Sequence, residues 1–491
     1  MKLSIPQFKS FAAVIALSMG LVFGPAGAKD SKALFVADPL QALQLRVNLI
    51  SRAQSEILVE YFSVWNDDQS VQILGQLLRA ARRGVKVKFM VDALASKMPK
   101  PLIAALTGAG QDGQGNENFQ IRYYNPINII KLGQAFHREH AKLLIIDGQY
   151  LVTGGRNIGD KYFGFNQRRN FVDSDVLVNG SAASEARENF LASWSGKMAK
   201  EPELYQYRAE KLSKDSCLLD SGRGDRSQCE RDVELANKKV EEQLKRAETG
   251  GQDLLASAMG ANLMPDSGED VMAQAISVSD IDFISHSPHT LVNKKNNFMT
   301  QDMAKLIRSA KHTILISSPY LLLNDELESA FQDILNRPED QGGPVQVRVL
   351  TNSIKSTDNI LAQVGYRSVK KKLIAMGFEI YEYNGPDTAH SKLIVIDGHK
   401  TVIGSYNFNK RSAEKDREVG VVITEDENSH PFADQVAAKI EGDIDNSLLV
   451  AKDKLALNQE QWAENDPNLP ATTKNLMRIF TLFLPILINN L

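Results

Sequence analysis

The sequence predicts an α/β protein built as two pseudo-symmetric sandwich halves with a single active site between them. Three observations lead there: a set of apolar segments that occurs twice, the alternation of those segments with helical periodicity, and a polar pattern that returns at a constant offset of 250 residues. The length agrees, since 491 residues exceed the roughly 300 at which one hydrophobic core stops growing.

Taken in order, Lys2 and Lys9 flank a start that runs into the apolar stretch FAAVIALSMGLVF at 11–23, which ends on small residues at Ala26 and Ala28. This pattern predicts a secretory leader over 1–28, with an uncleaved membrane anchor as the competing reading, and an exported chain, periplasmic or secreted, for which the apolar C-terminal run adds an expected contact with a membrane surface. The N-terminal apolar run is short of the ~20 residues that a spanning helix needs. EILVEYF at 56–62, GVKVKFMVD at 84–92 and FQIRYYNP at 119–126 are rich in β-branched and aromatic residues, bounded by Gly, Pro or Asn, and predict strands. Their echoes are TILISSPY at 313–320, PVQVRVLTN at 344–352 and FEIYEYNGP at 378–386. Between the first two, Val71, Leu74, Leu77, Leu78 and Ala81 recur at helical spacing and Gly84 provides a stop; DELESAFQDIL at 325–335 holds the corresponding place. Strand–helix alternation of this kind predicts crossover units and a largely parallel sheet covered on both faces.

The halves are expected at 29–199 and 286–445. Residues 200–285 are rich in Lys and Glu, with a helix expected over 230–248 and a loop over 264–270, and they read as a surface insertion or linker. In that stretch Cys217 and Cys229 can form one disulfide in an exported chain or remain thiols; with no histidine nearby they do not make a zinc set. The tail, 446–491, ends in an apolar run from Ile479 to Ile488. It is too short to span a bilayer, so it either docks on the protein or lies in a membrane interface.

The repeated polar pattern carries the chemistry. His140, Lys142, Asp147, Gly154 and Asn157 recur as His390, Lys392, Asp397, Gly404 and Asn407. Side chains alternate along a strand, so His and Lys at i and i+2 share a face. If the halves pack about a pseudo-twofold axis, two imidazoles and two ammonium groups converge on one cleft. Such a cleft suits a phosphodiester: one neutral histidine attacks phosphorus and the other, as imidazolium, protonates the leaving oxygen. The lysines, with Asn157 and Asn407 as phosphate-binding residues, would hold the non-bridging oxygens. Cationic side chains then fill the role of a divalent ion, so no metal and no cofactor is expected. His137, His286, His289, His312, His399 and His430 lack the duplicated context and are assigned structural places. The net charge of −3 gives no global attraction to nucleic acid, which weighs against a nuclease, the alternative reading for the same motif.

With these motifs, and with VEYFSVWNDD, GGRNIGDKYF, FVDSDVLV, VRVLTNSIKSTD and GSYNFNKRS beside them, the chain resembles the phospholipase D superfamily, which is defined by two HKD motifs. Within it the chain is most similar to bacterial cardiolipin synthases of the exported C-type subfamily. The resemblance spans about residues 40–445 and implies a phospholipase D-like fold, a phospholipid substrate and a phosphohistidine intermediate. By the same resemblance His140 is the nucleophile and His390 the general acid. An acidic residue downstream of each motif orients its histidine through the other ring nitrogen: Asp173 after the first motif, Glu418 after the second. Asp147 and Asp397, counted with the catalytic set as the motif aspartates, take a structural part. The resolving acceptor is a phospholipid alcohol or water, and a monomer suffices because both motifs lie in one chain. The chain departs from the family pattern at Lys410, where the family tends to carry proline, at Asp416, and at Ala141 after the first histidine. The first two border the expected lipid mouth and leave the acceptor open.

Overall fold

The computed structural model describes residues 31–110, 117–127, 129–204, 226–260, 272–451, 464 and 466–487. The expected leader, the loop at 264–270, Cys217 and Ile488 lie outside them.

The first half runs β1 (Lys32–Val36), α1 (Pro39–Arg52), β2 (Glu56–Tyr61), α2 (Asp68–Arg82), β3 (Lys86–Asp92), α3 (Lys100–Ala109), β4 (Phe119–Tyr124), β5 (Lys142–Ile146), β6 (Tyr150–Gly154), β7 (Phe171–Val172), β8 (Asp175–Asn179), α4 (Ser181–Trp194) and β9 (Ala199–Lys200). After α5 (Arg226–Gly260) and β10 (Ile276–Ser277), the second half follows. It contains β11 (Asp280–Ser285), α6 (Phe298–Ser309), β12 (Thr313–Ser317), α7 (Asp325–Leu335), β13 (Gln346–Asn352), α8 (Ile360–Met376), β14 (Glu379–Tyr383), β15 (Thr388–Ala389), β16 (Leu393–Ile396), β17 (Lys400–Gly404), α9 (Lys410–Glu414), β18 (Val419–Thr424), α10 (Pro431–Ile444) and β19 (Ser447–Ala451); α11 (Ala471–Leu487) closes the described chain.

The α2 helix forms where its periodicity places it. Asp67 caps it by accepting from the Ser70 N–H, and Val71, Leu74, Leu77, Leu78 and Ala81 are all buried. Asn324 caps α7 in the same way, and Asp325, Glu326 and Glu328 in its first turn complement the helix dipole.

Two large sheets result, ordered β10-β1-β8-β6-β5-β2-β3-β4-β9 and β11-β18-β17-β16-β12-β13-β14-β19, with β15 and β7 forming a small third one. Apart from β10 the second order repeats the first, so the duplication legible in the sequence is a duplication of the fold. The expectation of largely parallel sheets needs correction. Within these two sheets only β2, β3 and β4, and their counterparts β12, β13 and β14, pair in parallel; their other neighbours run antiparallel. The cause is a tight turn of three residues, 147–149 and 397–399, directly after each motif strand. Asp147 and Gly148 have φ of 53° and 65°, and Asp397 and Gly398 have 48° and 74°. Positive φ at both central residues is the Asp-Gly hairpin signature, and it folds β5 onto β6 and β16 onto β17.

Each sheet has an outer core of its own, around Leu74 and Phe89 in the first half and around Phe331 and Ile380 in the second. The inner faces share a third core. Leu58, Leu143 and Val176 from one sheet, Leu350, Leu393 and Val421 from the other, and Phe190 of α4 with Phe432 and Ile440 of α10 belong to one buried cluster. Burying each such side chain contributes roughly 1.5–3 kcal/mol, so the apolar joint fixes the halves against each other rather than hinging them.

The segment expected as a linker is built onto the first half. β10 pairs with β1, and α5 lies along α2. There Ala247 is buried, Val240 and Leu244 pack beside it, and a Cβ on Gly75 would collide with the Ala247 carbonyl oxygen. The dense Lys and Glu of α5 hide this narrow apolar stripe in the sequence. Cys229, near the start of α5, is disulfide-bonded. At the other end, α11 docks on the body: Met477 and Leu484 are buried with Leu322, Ile354 and Val364. Leu476, Ile479, Leu482 and Phe483 remain exposed on it. Among the described residues no helix is long and apolar enough to cross a membrane.

Candidate active site

The segment leading into each motif is stitched to the opposite half. The His140 N–H donates to the Arg417 carbonyl at 2.9 Å, and the Arg417 N–H to the Arg138 carbonyl at 2.9 Å. The His390 N–H donates to the Val172 carbonyl at 2.7 Å, where β15 pairs in parallel with β7. Each histidine therefore reaches the site beside the acid-bearing segment of the other half.

That stitching exchanges the orienting acids. His140 Nδ1 lies 2.9 Å from both oxygens of Glu418, and His390 Nδ1 lies 2.5 Å from Asp173 Oδ2. The expectation that each motif's own downstream acid orients its histidine is corrected: Glu418 belongs to the second half and Asp173 to the first. In both cases a buried carboxylate holds the proton on Nδ1 and leaves Nε2 for the site. Aromatic rings set the remaining freedom. Phe62 meets the His140 ring edge-on at 4.9 Å, while Phe171 stacks on His390 at 4.8 Å and Tyr162 meets it edge-on at 5.7 Å.

The two lysines are buried as well, with 1% and 4% of their surface exposed for Lys142 and Lys392, so neither is a solvated surface cation. Lys142 Nζ donates to the His140 carbonyl at 2.5 Å, and Lys392 Nζ stands 3.0 and 3.3 Å from the two ring nitrogens of His390. Burial pulls the Lys142 ammonium down to about 7, against the opposing field of Glu418. Burial likewise lowers Lys392, with Asp173 opposing. His140 is driven well below its ordinary value by burial first, then by Lys142, with Lys392 and His390 adding to it. His390 is lowered by burial and Lys392, while Asp173 pulls it back. Without a ligand the site thus holds neutral imidazoles between weakened ammonium groups, an arrangement that an anion would stabilise.

The remaining expected residues divide. Asn157 is committed to the protein: its Oδ1 accepts from the Ser63 N–H at 3.0 Å and its Nδ2 donates to the Tyr162 hydroxyl at 2.8 Å. Asn407 Oδ1 is buried without a partner, and among the described residues no hydrogen bond engages its Nδ2, the end that can donate to a phosphate oxygen. Asp147 and Asp397 are not in the cleft, which corrects their place in the catalytic set. Asp147 accepts from the N–H groups of Gln54, Ser55 and Glu56 at 2.9, 2.7 and 3.0 Å. Asp397 accepts from those of Lys311, His312 and Thr313 at 2.7, 2.8 and 2.9 Å. Both stand at the far end of the motif strand, anchoring the start of β2 or β12. Burial raises these carboxyls, but the backbone donors outweigh it and hold both below the usual value.

Sequence reasoning missed the hydroxyls on Glu418. Ser405 and Ser412 each donate to it at 2.5 Å. The signal was present, since Ser405 in GSYN stands where Gly155 stands in GGRN. Gly155 cannot be serine, because a Cβ there would run into the Asp173 carboxylate. It also missed the buried set in which Arg417 Nη1 meets Glu60 at 3.1 Å and Glu139 at 2.8 Å, locking the halves beside His140. His286 keeps its structural place: it is buried, its Nε2 lies 3.0 Å from the Ser412 carbonyl, and burial pushes it down to about 4.

Comparison with known proteins follows the same duplication. The profile of the family described as "Cardiolipin synthase, PLD-like domain" matches residues 47–194 and 303–444. Cardiolipin synthase C of Escherichia coli K12 is 25% identical over 412 residues, covering 78% of this chain and 79% of that protein. An uncharacterized protein of Helicobacter pylori J99 is 26% identical over 427 residues, covering 80% of this chain and 76% of that one. The crystal structure of phosphatidylserine synthase from Haemophilus influenzae Rd KW20 superposes with a TM-score of 0.57 at 14% identity, over 94% of this chain and 95% of that one. This last likeness shows a common fold.

Proposed function

The chain belongs to the family of cardiolipin synthases with phospholipase D-like domains, and from that membership we propose that it transfers the phosphatidyl group of a phospholipid to an alcohol through a covalent adduct on His140. The observation that carries this reading is the crossed pair of carboxylate-held imidazoles with two buried lysines beside them. In the first step His140 Nε2 attacks phosphorus, and the headgroup oxygen leaves with the proton from His390 Nε2. In the second, the acceptor hydroxyl gives its proton to His390 while its oxygen attacks phosphorus and the P–N bond breaks. Lys142, Lys392 and Asn407 face the non-bridging oxygens. The two ammonium groups supply the charge stabilisation for which other phosphoryl-transfer enzymes use a divalent ion.

The division between the histidines rests on their acids. Asp173 is held below its ordinary value because His390 and Lys392 outweigh its burial, so it is an ionised partner that favours imidazolium on His390. Glu418 is raised by burial and shares its oxygens with Ser405 and Ser412, which leaves His140 the neutral nucleophile. The donor is a phospholipid, and the acceptor is the hydroxyl of a second phospholipid, with water in competition. The chain works from an exported position against a membrane surface. The exposed row Leu476, Ile479, Leu482 and Phe483 on α11, with Lys474, Arg478 and no acidic residue in the helix, supports contact with an anionic lipid face.

The test is to incubate the purified chain lacking residues 1–28 with vesicles of phosphatidylglycerol and phosphatidylethanolamine, and separately with plasmid DNA, with and without chelator. Headgroup release and cardiolipin at a chelator-independent rate are expected. Nicking of DNA without lipid turnover would overturn the reading.

A further inference from the structure

Lys161 stands one aromatic layer away from His390. It belongs to the turn Asp160–Tyr162, and its Nζ lies 4.3 Å from the Trp65 ring centroid, 4.4 Å from that of Phe171 and 5.6 Å from that of Tyr162. Phe171 is the ring that stacks on His390 at 4.8 Å, so one side chain separates ammonium from imidazole. The cage is built rather than incidental. The Trp65 backbone N–H donates to the Ile158 carbonyl at 3.0 Å, the Asp160 backbone N–H donates to Asp67 at 2.9 Å, and a Cβ on Gly159 would press on the Trp65 ring at 2.9 Å.

Among the described residues no hydrogen bond or ion pair engages the Lys161 amine. Asp358 and Asp67 act on it through their fields, but Asp358 accepts from the Tyr320 hydroxyl at 2.8 Å, and Asp67 is occupied by Ser70 and the Asp160 N–H. The Trp65 indole nitrogen is also buried without an acceptor. Aromatic faces attract an ammonium through its charge, yet they offer its N–H groups no lone pair to donate to. The Lys161 amine, open to water but without an acceptor in the protein, and the buried, unpartnered Trp65 indole N–H stand beside the imidazole proposed to take the acceptor's proton, an arrangement that a ligand with several anionic oxygens fits.

We propose that Lys161 and Trp65 form a second anion subsite, which takes the phosphate of the acceptor lipid and thereby brings its headgroup hydroxyl to His390. The inference rests on the phosphatidyl-transfer reading above and supplies its acceptor. An extended glycerol headgroup places its terminal hydroxyl roughly 6 Å from its phosphate, by bond lengths of about 1.5 Å. A hydrogen bond of about 3 Å at each end lets that span bridge the thickness of Phe171. The hydroxyl then loses its proton to His390, its oxygen attacks the phosphorus held on His140, and the P–N electron pair returns to the ring. Water carries no phosphate and gains nothing from the subsite, so an occupied cage favours transfer over hydrolysis.

The experiment uses Trp65 as its own reporter. The chain has three tryptophans, and W194F with W462F leaves Trp65 as the sole indole. Titration of this protein with sn-glycerol 3-phosphate should give a saturable change in emission whose Kd rises at least tenfold in K161M and recovers in K161R. In parallel, the ratio of kcat/KM with phosphatidylglycerol as acceptor to that with ethanol should fall at least tenfold in K161M and recover in K161R. Identical titrations with and without Lys161, or no saturable change at Trp65, would overturn the subsite. Absence of lipid turnover by the parent protein would instead overturn the transfer reading, and the titration would still decide the subsite.

Discussion

Gly155 and Ser405 occupy the same place in the two motifs yet do different things. Ser405 gives a hydroxyl to Glu418, whereas Gly155 leaves the Asp173 carboxylate room to stand against His390. This small asymmetry makes the two histidines unequal, and it predicts unequal variants. In H390A, turnover of an alkyl phosphodiester should fall at least ~100-fold, the usual worth of a positioned acid. A nitrophenyl diester, whose leaving group needs no proton, should lose far less in a single-turnover assay. H140A should lose both, and equal losses for both substrates in H390A would contradict the assignment. The lysines set the alkaline side. Lys142 has its ammonium lowered to about 7 by burial, so the protonated form needed by the phosphate is lost as pH rises through that value. The kcat/KM profile should therefore fall above about pH 7, and K142R, whose guanidinium does not titrate there, should remove that limb if it still turns over. A profile flat from pH 6 to 9 in the parent would count against the role of Lys142.

Among the elements, the hairpins β5–β6 and β16–β17 show what the sequence held in plain view and what it concealed. The Asp-Gly pair after each strand was sufficient to announce an antiparallel hairpin, yet the strand–helix alternation around it pointed to parallel sheets. Local turn chemistry decided, because positive φ at two successive residues leaves the chain no other course. The same aspartates fasten three backbone N–H groups apiece. D147A and D397A should therefore cost about 1 kcal/mol of stability each, the net worth of exchanging protein hydrogen bonds for water at these solvent-reached donors, visible as a lower Tm, with turnover per folded molecule close to that of the parent. A large loss of turnover at unchanged Tm would return them to the chemistry. The histidines, the lysines and the identity of both orienting acids were legible from spacing and resemblance. Which acid serves which histidine was not, because that depends on how β7 meets β15 across the halves and no local pattern encodes it. The packing of α5 was hidden for a related reason: a stripe of Val240, Leu244 and Ala247 is narrow among so many charges, and its partner surface on α2 lies more than 150 residues away in the chain.

For the molecule as a whole, the exchange of acids means that neither half holds an oriented histidine by itself. His140 depends on Glu418 and His390 on Asp173, and the shared core of Leu58, Leu143, Leu350 and Leu393 keeps those pairs in register. Duplication in the sequence thus becomes one site instead of two. The most direct test of this account is to locate the covalent intermediate: mix the protein with a phospholipid labelled in the glycerol of its phosphatidyl group, quench in alkali to preserve the P–N bond, and sequence the modified peptide by mass spectrometry. The adduct should lie on His140 and be absent from H140A. An adduct on His390, or steady turnover with none on either histidine, would contradict it.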